Sequence, residues 1–304
     1  MGIITLINNL RYLFRYNIKE IYCNQKDIMQ NQNSLKINDS TLCLIEKIMS
    51  DVKNNWDEIF VPKIRNNFET IETLIKYPKS IIRFGDGEFR LIENDDIPFQ
   101  DSSNILSKKL LEILDSEDEN LLIGLPYEYY KSNVCLRNSN RKFLYSWVPL
   151  WLKHINKYLK NSNTYYSTSI SQVYAMYEKY DFEKHFHMLK QIWNDKKITI
   201  ITGDRVLNNI NNNIFLNAKE INYVYGPTKN AFEKYEELKN KLLKLSQDQI
   251  LIFAIGPAGK VLAYECFKNG YRVLDLGHVI KDYDTYKKNN LMDEKEIIKF
   301  FSPD

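Results

Sequence analysis

Four runs in the second half of the chain, KITIITGD (197 to 204), INYVYGP (221 to 227), QILIFAIGP (249 to 257) and YRVLDLGH (271 to 278), are apolar almost throughout and end in or beside glycine or proline. A strand wet on one face alternates apolar and polar residues, whereas a continuous apolar run suits a strand covered on both faces, as in a parallel sheet. The segments between them are long enough for helical crossovers, and Phe232, Tyr235, Leu238, Leu242 and Leu245 mark one helix face between the second and third. SIIRF (80 to 84) and NLLIGLP (120 to 126) are two further candidate strands. The pattern predicts an α/β fold with a Rossmann-like, mainly parallel, doubly wound sheet. Such sheets bind ligands at the carboxyl ends of their strands. Residues 83–88, 203–205, 226–229, 256–260 and 277–284 all fall there.

The rest of the chain is read more coarsely. Residues 3 to 22 place Ile3, Leu6, Ile7, Leu10, Phe14, Ile18 and Ile21 at helical spacing, with Arg11, Arg15 and Lys19 nearer the other side. The expectation is an amphipathic helix docked on its own domain or a partner protein, with peripheral membrane contact as the second reading. Residues 24 to 39 are polar and aperiodic, a linker, and residues 40 to 77 return to helical patterning. The domain reading is a helical N-terminal extension over 1–74, a main domain over 75–285 and a C-terminal tail over 286–304. A net charge of +3 on 304 residues gives no chain-wide field for nucleic acid, so none is expected as a partner. Four scattered cysteines without a CxxC pair argue against a zinc site or disulfide framework. No apolar run reaches 18 residues and no signal-peptide pattern opens the chain, so the expectation is a cytoplasmic protein.

The chain has only ten glycines, yet RFGDGEF (83 to 89) places two of them around Asp86. Asp86 and Glu88, two apart in an extended segment, would leave the same side of the backbone and repel unless a cation lay between them. Oxygen-only ligation with open positions suits Mg²⁺ or Mn²⁺; an acidic turn without ligand is the alternative. Gly85 and Gly87 would let the backbone turn and a bulky ligand approach. AIGPAGK (254 to 260) follows a strand and opens a helix, where backbone N–H groups bind anions. Lys260 in its first turn is poorly placed against the helix dipole unless a diphosphate lies beside it. A strand-to-helix turn with Pro257 near its start is the plainer reading. DLGHVIKDYD (275 to 284) gathers Asp275, His278, Asp282 and Asp284, from which a base, a metal ligand or a hydroxyl-binding acid could come. His185 and His187 diverge on a helix, and Arg137 and Arg141 could neutralise a phosphate or be solvated.

IIRFGDGEFRLIENDDIPFQ, LLEILDSEDENLLIGLP, VYGPTKNAFEKYEEL and ILIFAIGPAGKVLAYECFKNGYRVLDLGHVIKDYD together resemble, in order, the GT-D-type glycosyltransferase domain over residues 75 to 285. The resemblance implies a transferase that moves a hexose, typically glucose from UDP-glucose, onto a growing glycan, lipid-linked or protein-linked, in surface polysaccharide or glycoprotein synthesis. It implies that Asp86 and Glu88 hold Mn²⁺ or Mg²⁺ against the nucleotide diphosphate. Arg83, Gly85, Gly87, Gly203, Asp204, Gly256, Gly259 and Lys260 are then the expected nucleotide-sugar-binding residues. His278, Asp282 and Asp284 are the expected sources of the catalytic base. STSISQVY (167 to 174) stands where the family has a Ser-Arg-Pro-Tyr stretch, and TGDRVLNNINNN (202 to 213) where it has a Glu-Gly turn. A metal-dependent phosphoester hydrolase and a non-catalytic subunit of a glycan-assembly complex are the alternative functions. An acceptor held at the inner face of the cell membrane is the accompanying expectation.

Overall fold

The computed structural model describes residues 61–131, 135–146, 148–290 and 292–301. The helix expected at 3–22 and the linker at 24–39 lie outside the described residues. Residues 63–127 and 164–304 make one compact unit, and residues 128–163 belong to a second.

The first unit is built on an eight-stranded sheet. Its strands are β1 (Lys63–Ile64), β2 (Ser80–Arg83), β3 (Leu121–Leu125), β4 (Thr164–Ser167), β5 (Lys197–Gly203), β6 (Glu220–Gly226), β7 (Ile250–Ala254) and β8 (Arg272–Asp275). They lie in the order β1-β4-β3-β2-β8-β7-β5-β6, and every pairing is parallel. Ile81, Ile82, Ile198, Ile200, Ile201, Leu251, Ile252, Phe253, Val273 and Leu274 are fully buried along the central strands, as continuous apolar runs require. INYVYGP differs from the sequence reading: only Val224 of β6 is buried, while Tyr223 and Tyr225 are exposed. The cause is position, because β6 is an edge strand with β5 as its sole neighbour.

The helices are numbered in chain order through both units, and those of the first unit fill the two faces of its sheet. In order they are α1 (Asn67–Lys76), α2 (Asp86–Ile92), α3 (Asn104–Leu114), then, in the second unit, α4 (Asn138–Ser146) and α5 (Val148–Asn156). The first unit continues with α6 (Val173–Met176), α7 (Phe182–Trp193), α8 (Tyr235–Leu242), α9 (Gly256–Lys268), α10 (Val279–Lys287) and α11 (Glu294–Phe300). The β2→β3, β6→β7 and β7→β8 connections step one way along the sheet, while β1→β2 and β4→β5 step the other. Right-handed crossovers then put α3, α8 and α9 on one face and α1 and α7 on the other. The packing agrees, with α9 against α3 and α8, and α1 against α7. The boundary read at 285 falls inside α10, and the segment read as a tail contains α11, whose Ile297 and Phe300 are buried.

At the middle of the sheet the ladder is thin. β2 meets β8 in a single registered pair, Ile81 with Leu274. Side chains complete the seam: the Val273 N–H donates to Ser80 Oγ (3.0 Å) at one end and the Arg83 N–H to Asp275 Oδ2 (3.1 Å) at the other. Buried backbone donors need partners, and here carboxylate and hydroxyl replace carbonyls. The chain leaves β2 toward the α3 and α9 face, because α2 packs on α3. It leaves β8 into α10, which packs on α6 and on the short 3₁₀ turn Thr168–Ser171 that lies against α1. Adjacent strand ends that diverge to opposite faces open a crevice between them.

In the second unit, Val148, Leu152 and Ile155 of α5 are buried at spacings of four and three, a single helix stripe. Leu136 and Asn140 are buried before and within α4, and Tyr130 donates to Asn156 Oδ1 at 2.7 Å. The sequence reading did not anticipate these two helices, nor β1 and β4.

Candidate functional site

Arg83, the last residue of β2, is 7% exposed and folds around Asp275 at the end of β8. Its Nε donates to the Asp275 carbonyl at 2.6 Å and Nη2 reaches Asp275 Oδ1 at 3.3 Å. Nη1 donates to the Thr168 carbonyl at 2.8 Å and to Ser171 Oγ. The guanidinium thus ties three strand ends, β2, β8 and β4, into one fixed cluster. Gly277, at φ +41°, makes room for it, since a Cβ there would run into the guanidinium.

Asp86 and Glu88 do not sit on an extended segment. Gly85 is the N-cap of α2, Asp86 opens the helix, and residues two apart on a helix diverge. Glu88 turns back to accept the Gly85 N–H at 2.7 Å, half of a capping box. Its other oxygen lies 3.3 Å from Lys260 Nζ, which is also 3.2 Å from Asp275 Oδ2. Gly85 and Gly87 have no positive φ; the conformational demand falls on Gly256 (φ +63°) and Gly277 instead. Lys260 in the first turn of α9 is balanced by the Glu88 and Asp275 carboxylates, which the helix dipole argument had left to a diphosphate. Arg83, Glu88, Lys260 and Asp275 are each no more than 8% exposed, so the cluster is two cations and two carboxylates held out of water.

Electrostatics single out three neighbours. Burial, and then the Glu88 charge, push the Asp86 carboxyl up to about 6. Burial also acts on Asp275, but Lys260 and Arg83 hold its carboxyl below the usual range. His278, half-buried before α10, is pushed down to about 3 by burial and by the positive charges of Lys281, Arg83 and Lys260. Its ring lies against Phe300 and Phe301, with centroids 5.2 and 5.7 Å away.

The other expected residues stand elsewhere in the fold. Asp282 is fully buried and accepts the Tyr174 and Ala175 N–H groups, each at 2.9 Å, at the start of α6. Asp284 accepts from Asn211 N, Asn212 N and Asn212 Nδ2, and pairs with Lys288 Nζ at 2.6 Å. Both carboxylates hold elements together. Gly203 and Asp204 lie where β5 and β6 end: Asp204 N donates to the Gly226 carbonyl and Thr228 Oγ1 donates to Asp204 Oδ1 at 2.8 Å. Gly259 lets α9 approach β7, for a Cβ there would be 3.0 Å from Ile255 Cγ2. Thr168 and Ser171 were missed, and Gly277 was read as a strand-end residue without its role. Their roles are through a carbonyl, a hydroxyl and an absent side chain, which leave little mark in a sequence.

Among the described residues no group of three His, Cys, Asp or Glu side chains could hold a metal ion. Of the two expected metal ligands, Glu88 has its oxygens engaged by the Gly85 N–H and Lys260 Nζ, which leaves Asp86 as the carboxylate to weigh. Asp86 fits a hard cation: a carboxylate lifted by burial and by a like charge gains most from a cation at its side.

Residues 81–299 match the family model described as glycosyltransferase GT-D fold. Among curated proteins the chain is similar to glycosyltransferase GlyD of Streptococcus pneumoniae serotype 4, at 30% identity over 76% of this chain. The matched part is 28% of that relative, so the chain spans less than a third of its length. Among solved structures it is similar to one described as a new glycosyltransferase (DUF1792) from Streptococcus sanguinis, with TM-score 0.71 and 26% identity over 80% of this chain and 95% of that one. A second, described as the highly conserved domain of unknown function 1792 with a distinct glycosyltransferase fold, gives TM-score 0.69 and 28% identity over 80% and 91%.

Proposed function

The chain belongs to the glycosyltransferase GT-D fold family, and on that premise we propose that it moves a hexose, glucose by preference, from a UDP-sugar to a glycan acceptor in surface polysaccharide or glycoprotein synthesis. The observation that carries the reading is the buried Arg83–Asp275–Lys260–Glu88 cluster beside the raised Asp86 carboxyl. As a glycosidic C–O bond breaks, the departing nucleoside diphosphate gathers negative charge, and fixed cations in a dry site stabilise it well. Lys260 and the open backbone at Gly256 face that task from α9. Arg83 acts by holding Asp275 and the β4 turn in place.

Asp86 would hold Mn²⁺ or Mg²⁺, with Glu88 beside it, and the bound cation would neutralise diphosphate charge. His278 is the base in this proposal. An anionic donor beside Arg83 and Lys260 would offset two of the cations that depress its pKa and lift its basicity toward the useful range. The acceptor is a lipid-linked or protein-linked glycan. We assign the reaction to the cytoplasm, at the inner face of the membrane when the acceptor is lipid-linked; no helix among the described residues is long and apolar enough to cross a membrane.

The test is a thermal-shift panel of UDP, GDP, CMP and their hexose derivatives, each with Mn²⁺ or with EDTA. A metal-dependent rise with UDP-sugars alone is expected, and Asp86→Asn should abolish that dependence and lower transfer by about a hundredfold or more. Full transfer by Asp86→Asn would sink the metal assignment. Product release without a sugar acceptor would favour the hydrolase, and no response to any nucleotide the non-catalytic subunit.

A further inference from the structure

Between Glu128 and Glu178 the chain runs for 49 residues without one Asp or Glu. With 39 acids in 304 residues, about six would be expected there. The same stretch carries seven basic residues, Lys131, Arg137, Arg141, Lys142, Lys153, Lys157 and Lys160, all in the second unit. Removing these seven from the total of 42 leaves 35 basic against 39 acidic residues, so the remainder is net negative while this segment stands at +7. The near-neutral total therefore hides a strong local asymmetry.

The structure exposes Lys131, Arg141 and Lys157 of these seven and leaves Arg137 and Lys160 half-buried. Leu136, Asn140, Val148, Leu152 and Ile155 are buried, which uses the inner stripes of α4 and α5. Lys131, Arg141, His154 and Lys157 are exposed, and Phe143 is 38% exposed on α4. Trp147, Trp151 and Tyr158 lie in the same stretch of sequence. Basic side chains interleaved with aromatics on short amphipathic helices are the composition of a membrane-surface element. An acid-free segment lacks the like-charge repulsion that would oppose an anionic surface.

We propose that the exposed basic face of residues 135–146 and 148–160 is a docking surface for a bilayer rich in anionic phospholipid. Attraction comes from the basic side chains over the headgroups, with the exposed Phe143 ring of α4 seated at the interface. Phosphate recognition here is delocalised over a surface and is independent of the nucleotide site.

The full chain should float with vesicles of phosphatidylcholine mixed with phosphatidylglycerol and not with phosphatidylcholine alone. Binding should fall steeply as salt rises, because screening weakens each exposed charge. Each Lys or Arg near such a surface is worth about a factor of five in partition, so Arg141→Gln, Lys157→Gln and Lys160→Gln together should weaken it about a hundredfold. These side chains lie outside the buried stripes, and an unchanged melting temperature would confirm that the variant folds. If it does not fold, the salt titration of the unaltered chain decides. A variant with Arg11→Gln, Arg15→Gln and Lys19→Gln should bind as the unaltered chain does. No binding to anionic vesicles, equal binding to both kinds, or loss confined to the Arg11, Arg15 and Lys19 variant would overturn the proposal. So would tighter capture of duplex DNA that survives salt able to strip the vesicles.

Discussion

Asp86 and His278 are both moved by burial, in opposite directions along the pH axis, and each shift sets a stability slope. The Asp86 carboxyl is raised from 3.8 to about 6, so its contribution is fully present below pH 3.8 and is lost as pH rises through about 6. Asp86→Asn should therefore unfold at higher denaturant than the parent at pH 8, by up to about 3 kcal/mol, with little difference at pH 4. His278 is lowered from 6.5 to about 3, so its contribution is present above 6.5 and is lost as pH falls toward 3. His278→Gln should lose less stability than the parent between pH 7 and pH 5, by about 2 kcal/mol in urea titrations. A parallel fall of parent and variant would refute the burial of that ring. At this scale the sequence revealed Arg83, Asp86, Glu88 and Lys260 as strand-end residues without their arrangement. Gly85 followed three residues later by Glu88, ahead of Phe89, Leu91 and Ile92, is a helix-start signature that explains why the two acids part.

Two glycines at element ends separate conformational strain from steric conflict. Gly256 opens α9 at φ +63° with nothing within 4 Å of an added Cβ, while Gly277 between β8 and α10 has φ +41° and the Arg83 guanidinium in the way. Gly256→Ala should cost about 1–2 kcal/mol by denaturant unfolding and leave the Arg83 cluster intact. Gly277→Ala meets the same backbone cost and also displaces Arg83, so it should be the more destabilising and should weaken donor binding at least tenfold by calorimetric titration. Equal effects of the two would refute the packing of Arg83 over Gly277. Neither positive φ is written in the sequence, where the glycines around Asp86 look more demanding. Elements with long apolar runs were legible for the opposite reason: β5, β7 and β8 bury nearly every residue. β4, whose TYYS alternates half-buried and buried positions, and the two-residue β1 have too little apolar signal to be seen alone.

Across the whole molecule, protection should follow position in the sheet. Amide exchange should be slowest in β7 and β8 and fastest in the edge strands β1 and β6, read by mass spectrometry of peptides from each. Fast exchange in β7 would contradict the buried centre. The fold class was legible because a parallel sheet must be apolar along each strand; the acid-free stretch between Glu128 and Glu178 stands in the sequence too but is concealed by the charge balance of the whole chain. The seam between β2 and β8 has a wider implication. With one registered backbone pair, Ile81 with Leu274, the ladder between the two four-stranded halves is completed by Ser80, Arg83 and Asp275, beneath α9, which packs on both β2 and β8. Two of those three residues also build the charged cluster, so the rivet of the sheet and the floor of the crevice are one object. A lineage of such chains could not retune that floor for a new leaving group without loosening its own spine, and change would be steered outward to the loops around it.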